Sequence, residues 1–243
     1  MKAITNTDII ANRSVWARRV APFTMIFLIG GLVTNFMSFN RPEYFQYTLI
    51  LLALGFIFAT ISSTLVNRWV REPRADQILS TTLKKFGNDH ILFNYTTAIP
   101  HILLTRTRLY VIVTKHHGGQ IAVKGRRVTR KFSWRRVFRF FAEEGIGAPI
   151  NEAQSRVNRL EKLLSQTLSS DEIPEIKPIV IFTDKTMDLT VTDPEIPVMQ
   201  SNGLKSYLRE NDKQKLVSAE LRQKITQILD GGYSPQNVSH KKV

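Results

Sequence analysis

Two long stretches without a charged residue constrain this chain before anything else does. Residues 20–39 and residues 44–66 contain no Asp, Glu, Lys, Arg or His, and only residues 40–43 separate them. Each run supplies the roughly 20 residues that a helix needs to cross a hydrocarbon core of about 30 Å. One such run also fits a buried core helix, but two in succession read as membrane spans. A cleaved signal peptide is the other reading of the first run. It fits less well, because the basic region before the run is long, the run itself is over-long and no A-x-A-like site follows Phe39.

A four-residue connection containing Pro42 turns the chain straight back, so the spans are expected to form an antiparallel hairpin with both ends on one side. Lys2, Arg13, Arg18 and Arg19 precede the first span, and Arg68, Arg71, Arg74, Lys84 and Lys85 follow the second. The turn has Arg41 alone, offset by Glu43. The bias of basic residues predicts an integral protein of the cell (inner) membrane, with both termini and everything after residue 66 in the cytoplasm. With no ionisable group in either span, a proton relay has no candidate residues, and anchoring is the expected use. The expected organisation is a basic N-terminal segment at 1–19 and the hairpin at 20–66. A soluble domain at 67–232, with a basic insertion at 116–142, and a polar tail at 233–243 complete it.

Charge and composition narrow the chemistry. The chain has 243 residues with 34 Lys+Arg against 20 Asp+Glu, a formal charge of +14, and residues 67–243 hold 29 of those cations and 18 of the acids. That excess calls for an anionic partner without choosing among nucleic acid, lipid headgroups and an acidic protein face. The absence of cysteine excludes disulfides, thiolate zinc sites and cysteine nucleophiles.

After residue 66 the pattern predicts an amphipathic helix from Pro73 to Gly87 and β-rich runs at 91–97, 102–105 and 109–115. A hairpin over 120–124 and 128–134, a helix at 151–168 and a buried strand at 176–182 follow. Shorter strands at 189–191 and 197–200 and helices at 201–210 and 214–229 complete the series. This order argues for an α/β or α+β domain with a mixed sheet.

Five stretches stand out in this order: Ala75-Asp76 at a helix start, Ile99-Pro100-His101-Ile102-Leu103-Leu104, Tyr110-Val111-Ile112-Val113-Thr114-Lys115, the glycine turn within 116–121, and Pro149-Ile150-Asn151-Glu152-Ala153-Gln154. On these residues the chain from Ala75 to about Asn211 resembles the nuclease-related domain, NERD, a branch of the PD-(D/E)XK restriction-endonuclease-like superfamily. The resemblance implies a restriction-endonuclease-like mixed-sheet sandwich and a magnesium-dependent nuclease site. Such a site needs acidic oxygens converging on a hard cation. Pro100 stands at the family's metal-binding Asp and Val113 at the Glu of its Glu-x-Lys, and neither ligates a metal. Lys115 stands at the family's lysine, Asp76 at its glutamate and Gln154 at the glutamine of the following helix, so these three are remnant positions. No acid lies between Asp89 and Glu143 to replace the missing ones. The substitutions argue against cleavage, and no cofactor is expected; Mg²⁺ enters only under the alternative of a displaced site built from Asp76, Lys115, Gln154 and His101.

Eleven Lys+Arg and no acid lie between His90 and Ala142. The densest part holds Lys124, Arg126, Arg127, Arg130, Lys131, Trp134, Arg135, Arg136 and Arg139, interleaved with phenylalanines. Arginines beside rings suit single-stranded nucleic acid, an anionic bilayer surface or an acidic face of a membrane complex. A solvated hairpin packed by its apolar side is the fourth reading. Tethering near the bilayer favours membrane or membrane-protein contact over nucleic acid, since no nucleic-acid signature accompanies the charge. His116-His117 invites a metal, yet neighbours in a strand point to opposite faces and no companion pair has ligand spacing. The sequence therefore reads as a membrane-anchored nuclease-like domain that binds or scaffolds, an accessory subunit of a membrane complex. The alternatives are a tethered nuclease and a non-catalytic nucleic-acid tether.

Overall fold

Both uncharged runs are helical in the computed structural model, which describes residues 1–87, 89–131, 145–212 and 216–231. Helix α1 spans Thr7–Ser38 and helix α2 spans Phe45–Trp69, joined by a turn with a short 3₁₀ segment at Pro42–Tyr44. At 1.5 Å per residue they are about 48 and 37 Å long, beyond the roughly 30 Å of a bilayer core. Their most apolar windows have mean hydropathies of 1.8 and 2.4, and large side chains such as Ile26 and Phe36 are more than half exposed. A helix apolar all round has no water-facing stripe, which is the pattern of a span. The first helix begins well before the uncharged run, at Thr7, so it includes Arg13, Arg18 and Arg19.

The hairpin packs through reciprocal small-for-large contacts. A Cβ on Gly31 would lie 2.8 Å from Leu52 Cδ2, and one on Gly55 would lie 2.7 Å from Leu28 Cδ2. Thr48 donates its hydroxyl to Thr34 Oγ1 across the same seam at 3.0 Å. These glycines therefore serve the contact between α1 and α2. Gly31→Leu or Gly55→Leu is expected to overpack the seam by about 1–3 kcal/mol. The check is an earlier heat-induced aggregation midpoint in detergent, with Gly30→Leu, whose added Cβ would meet Leu51 at an ordinary 3.6 Å, as the milder control.

A second compact unit comprises the described residues of Met1–Asn6, of Ala75–Lys131 and from Ile146 onward. Its strands are β1 (Lys2–Thr5), β2 (Ile91–Asn94), β3 (His101–Leu104), β4 (Leu109–Lys115), β5 (Gln120–Gly125), β6 (Arg127–Arg130), β7 (Ile176–Phe182), β8 (Asp188–Pro194) and β9 (Val198–Gln200). Helix α3 (Ala75–Leu83) precedes β2, α4 (Pro149–Leu164) lies between β6 and β7, and α5 (Leu204–Asn211) and α6 (Ala219–Asp230) follow β9. The main sheet runs β1-β2-β3-β4-β7-β9, with β2-β3-β4 antiparallel and β4-β7-β9 parallel. A smaller sheet runs β6-β5-β8. The fold is thus a mixed α/β sheet domain preceded in sequence by two apolar helices.

Strand alternation divides the core into layers. Leu109 and Val111 of β4 pack with Val157, Leu160 and Leu164 of α4 and Ile225 and Leu229 of α6. Tyr110 and Ile112 pack on the opposite face, with Leu79 and Leu83 of α3 and Leu204 and Leu208 of α5. Both faces of β4 are therefore covered, which is why residues 109–113 read as an unbroken apolar run. Strand β1 was not expected: residues 1–19 read as a basic segment, yet Lys2–Thr5 joins the main sheet beside β2.

Candidate functional site

The alternation that divides the core also decides where Lys115 points. Val111 and Val113 face α4, so Lys115 does too, and its Nζ lies 2.9 Å from Glu152 Oε2 in the first turn of that helix. Pro149 starts the helix and an acid in the first turn complements its dipole. Arg156, one turn on, also binds Glu152. One carboxylate thus answers two cations at the C-terminal end of β4. The Lys115 carbonyl accepts the Thr183 amide at 2.9 Å, which fixes this strand end against β7.

Val113 is fully buried beside its register partner Val180, in a cluster with Phe182, Ile150, Ala153 and Ile121. The position that the resemblance assigns to an acid is therefore apolar core. Asp76 opens α3, in the layer on the opposite face of the sheet from α4, and is 5% exposed. Gln154 is exposed and its amide donates to Asn158 Oδ1 at 3.4 Å. Two residues along a helix is about a 200° rotation, so Gln154 points away from the Glu152 and Arg156 side. The Pro100 carbonyl accepts the Tyr95 amide at 2.8 Å. His101 is buried, with Nδ1 2.8 Å from Asn94 Oδ1 and its ring edge-on to Tyr95 at 5.0 Å. His116 Nδ1 meets Thr183 Oγ1 at 3.0 Å. Among the described residues no three His, Asp or Glu side chains gather as a metal group would.

Glu152 is the residue that sequence reasoning passed over. Its signal was present: an acid in a helix's first turn, four before an arginine.

The described part of the basic segment lies in the smaller sheet. Ile121 and Val123 point inward and are 1% exposed, whereas Lys124, Arg126, Arg127 and Lys131 are exposed. Arg126 pairs with Glu195, with Nη2 2.6 Å from Oε1, and this contact holds the Glu195 carboxyl below its usual range. Arg130 donates Nε–H to the Gly118 carbonyl at 2.9 Å. Lys124 and Arg127 have no ion-pair partner among the described residues. Trp134, Arg135, Arg136 and Arg139 lie outside the described residues.

A buried polar cluster occupies the opposite end of β4. Arg108 is 1% exposed and its Nη1 lies 2.9 Å from Glu175 Oε2. Tyr110 and Tyr207 approach edge-on at 6.4 Å. Burial pushes the Tyr110 phenol well above its ordinary value, with Arg108 pulling it partly back, and burial raises Tyr207 as well. A raised folded pKa means that the stabilising contribution is complete below the unfolded value of about 10 and is lost as pH climbs beyond it. Stability is therefore expected to fall from about pH 10 upward. The Tyr110→Phe Tyr207→Phe chain should lose most of that slope in a melting-temperature series from neutral to alkaline pH.

A comparison with curated proteins and one with solved structures returned no match. The family model described as the nuclease-related domain, NERD, matches residues 68–183, so the chain carries a nuclease-related domain, preceded in sequence by two helices long and apolar enough to cross a membrane.

Proposed function

We propose that this chain is a membrane-anchored nuclease-like domain that binds or scaffolds rather than cleaves, and that it serves as an accessory subunit of a membrane protein complex. The observation that carries the reading is Val113. Where the family resemblance calls for a metal-binding acid, a fully buried valine joins an apolar cluster, and the neighbouring Lys115 is engaged by Glu152. Polarising a phosphate through Mg²⁺ needs several converging oxygens, and one carboxylate shared by Lys115 and Arg156 is a poor substitute.

The hairpin fixes location, and the excess of arginine around its ends supports a cytoplasmic soluble domain. Lys124 and Arg127, with the arginines and Trp134 that follow, supply an anionic partner's contact, either an acidic membrane protein or lipid headgroups. No small-molecule cofactor is part of this reading.

Glu152 favours one second reading, a nuclease with a displaced acid, because a carboxylate lies 2.9 Å from the family's lysine. A single preparation separates the two. The full chain is extracted from its native membrane in gentle detergent, sized, and its co-migrating proteins identified; the same fractions are given single- and double-stranded nucleic acid with Mg²⁺ or Mn²⁺. The expected result is a stable set of membrane proteins and no metal-dependent cleavage. Neutralising Arg126, Arg127, Arg135 and Arg136 together should deplete the partners, most at low salt, while Lys115→Ala leaves them. Cleavage that Glu152→Gln abolishes would establish the nuclease instead.

A further inference from the structure

The edge strand of the main sheet comes from the wrong end of the chain. Every other strand follows the helical hairpin in sequence, but β1 precedes it, and β1 lies outside the residues that the nuclease-related family model matches. Its attachment is nonetheless complete. Lys2, Ala3, Ile4 and Thr5 pair in parallel with Ile91, Leu92, Phe93 and Asn94. The ladder is closed at both ends, by the Lys2 amide on the His90 carbonyl at 2.9 Å and the Asn6 amide on the Asn94 carbonyl at 3.0 Å.

Side chains extend the attachment into the core. Ile4 packs against the cluster that holds Phe93, Val157 and Leu160, and Met1 packs against the cluster on the other face of the sheet. The Asn94 side chain donates to Thr5 Oγ1 at 3.1 Å while its Oδ1 lies 2.8 Å from His101 Nδ1, so one amide links β1, β2 and β3. Without β1, the amides and carbonyls along β2 would form a bare edge, and the seat of Ile4 would be open.

We infer that the edge of β2 is a strand-acceptor site whose occupant is this chain's own N-terminal segment, delivered in cis from the other side of the hairpin in sequence. A parallel neighbour needs a long crossover, and here that crossover contains both apolar helices. The domain is completed only when both ends of the hairpin emerge where they reach one sheet, so its assembly depends on an even number of membrane crossings between β1 and β2. A chain whose second helix failed to insert would leave β2 bare. The inference stands whether the domain binds or cleaves.

The chain has no cysteine, which makes the test clean. Lys2→Cys with Ile91→Cys places thiols on paired residues of strands about 4.8 Å apart, inside the Cα range that a disulfide bridges. In native membranes, mild oxidation of the full chain should give the linked peptide within a monomer in most molecules. No link, or a covalent dimer in which a second copy supplies the strand, would overturn the inference. In the full chain, Ile4→Asp should raise amide exchange over Ile91–Asn94 by about tenfold or more, with exchange in α2 unchanged. Unaltered exchange at β2 would also overturn it. If that variant does not accumulate, the cysteine pair still decides.

Discussion

Replacing Val113 by glutamate, which would restore the acid that the family resemblance calls for, is expected to destabilise the sheet domain by about 3–5 kcal/mol rather than create a metal site. Val113 has no exposed surface and packs in an apolar cluster with, among others, Val180, Ile121 and Ala153. A longer side chain overfills that space, its carboxyl gives up its water, and Lys115, two residues on along the same face, is already held by Glu152. For a domain of this size the loss corresponds to roughly 6–20 °C in melting temperature. The deficit has a sign in pH. Desolvation raises the pKa of a buried carboxyl above its unfolded value of about 4.3, so the folded variant holds its proton longer. The variant's disadvantage relative to the parent chain is then smallest below about pH 4.3 and widens as pH rises through the folded-state pKa. Val113→Thr keeps the shape and cannot ionise, so its cost, about 1–3 kcal/mol for a buried hydroxyl, should be flat with pH. A Val113→Glu chain that melts like the parent would overturn the reading of position 113 as closed apolar core, and Mg²⁺-dependent cleavage gained by that variant would show that the missing acid is what disables the native site.

What the sequence reveals and what it hides follow from how far apart the interacting residues lie. The spans are legible because lack of charge over twenty residues is a local property, and α1 and α2 cover both runs. Residues 109–115 and 176–182 are legible as strands because burial on both faces makes each an apolar run, and the structure pairs them directly. Strand β1 is not legible, since four residues reading Lys-Ala-Ile-Thr carry little pattern and their partner lies beyond the hairpin. The same distance hides the pairing of Glu152 with Lys115, because the acid comes from a helix after the acid-free stretch. Carrying Gln154 over from the family motif placed an amide near Lys115, but the helical rotation between positions 152 and 154 turns it to solvent. Arg108 looks in sequence like any other member of a basic stretch. Only the meeting of β4 with Glu175 and the α5 layer makes it the buried one.

Asp212→Ala should produce the second large loss, about 2–4 kcal/mol, at a place that neither the charge pattern nor the family motifs point to. Asp212 follows α5 and its carboxylate gathers three donors: the Thr105 hydroxyl at 3.0 Å, the Thr107 hydroxyl, and His90 Nε2 at 3.1 Å. Its side chain is 12% exposed and that of His90 8%. Truncation leaves the Thr107 hydroxyl and the His90 imidazole without this acceptor in a largely dry site, while the Thr105 hydroxyl keeps the Arg108 carbonyl at 3.1 Å; each group left unpaired costs about 1–3 kcal/mol, less where water enters. Asp212→Asn keeps an acceptor oxygen and the shape, so it should recover about half of the loss while giving up the charge-assisted part. The readouts are the melting temperature and amide exchange in α5 and at the β3–β4 turn, both of which should loosen together because this carboxylate joins them. The cluster lies at the opposite end of β4 from Lys115. If the domain is a rigid platform that presents a basic surface, Asp212→Ala should lower the melting temperature yet leave partner capture intact well below it. Loss of capture at low temperature in a still-folded variant would show that the α5 end, and not the basic segment, makes the contact.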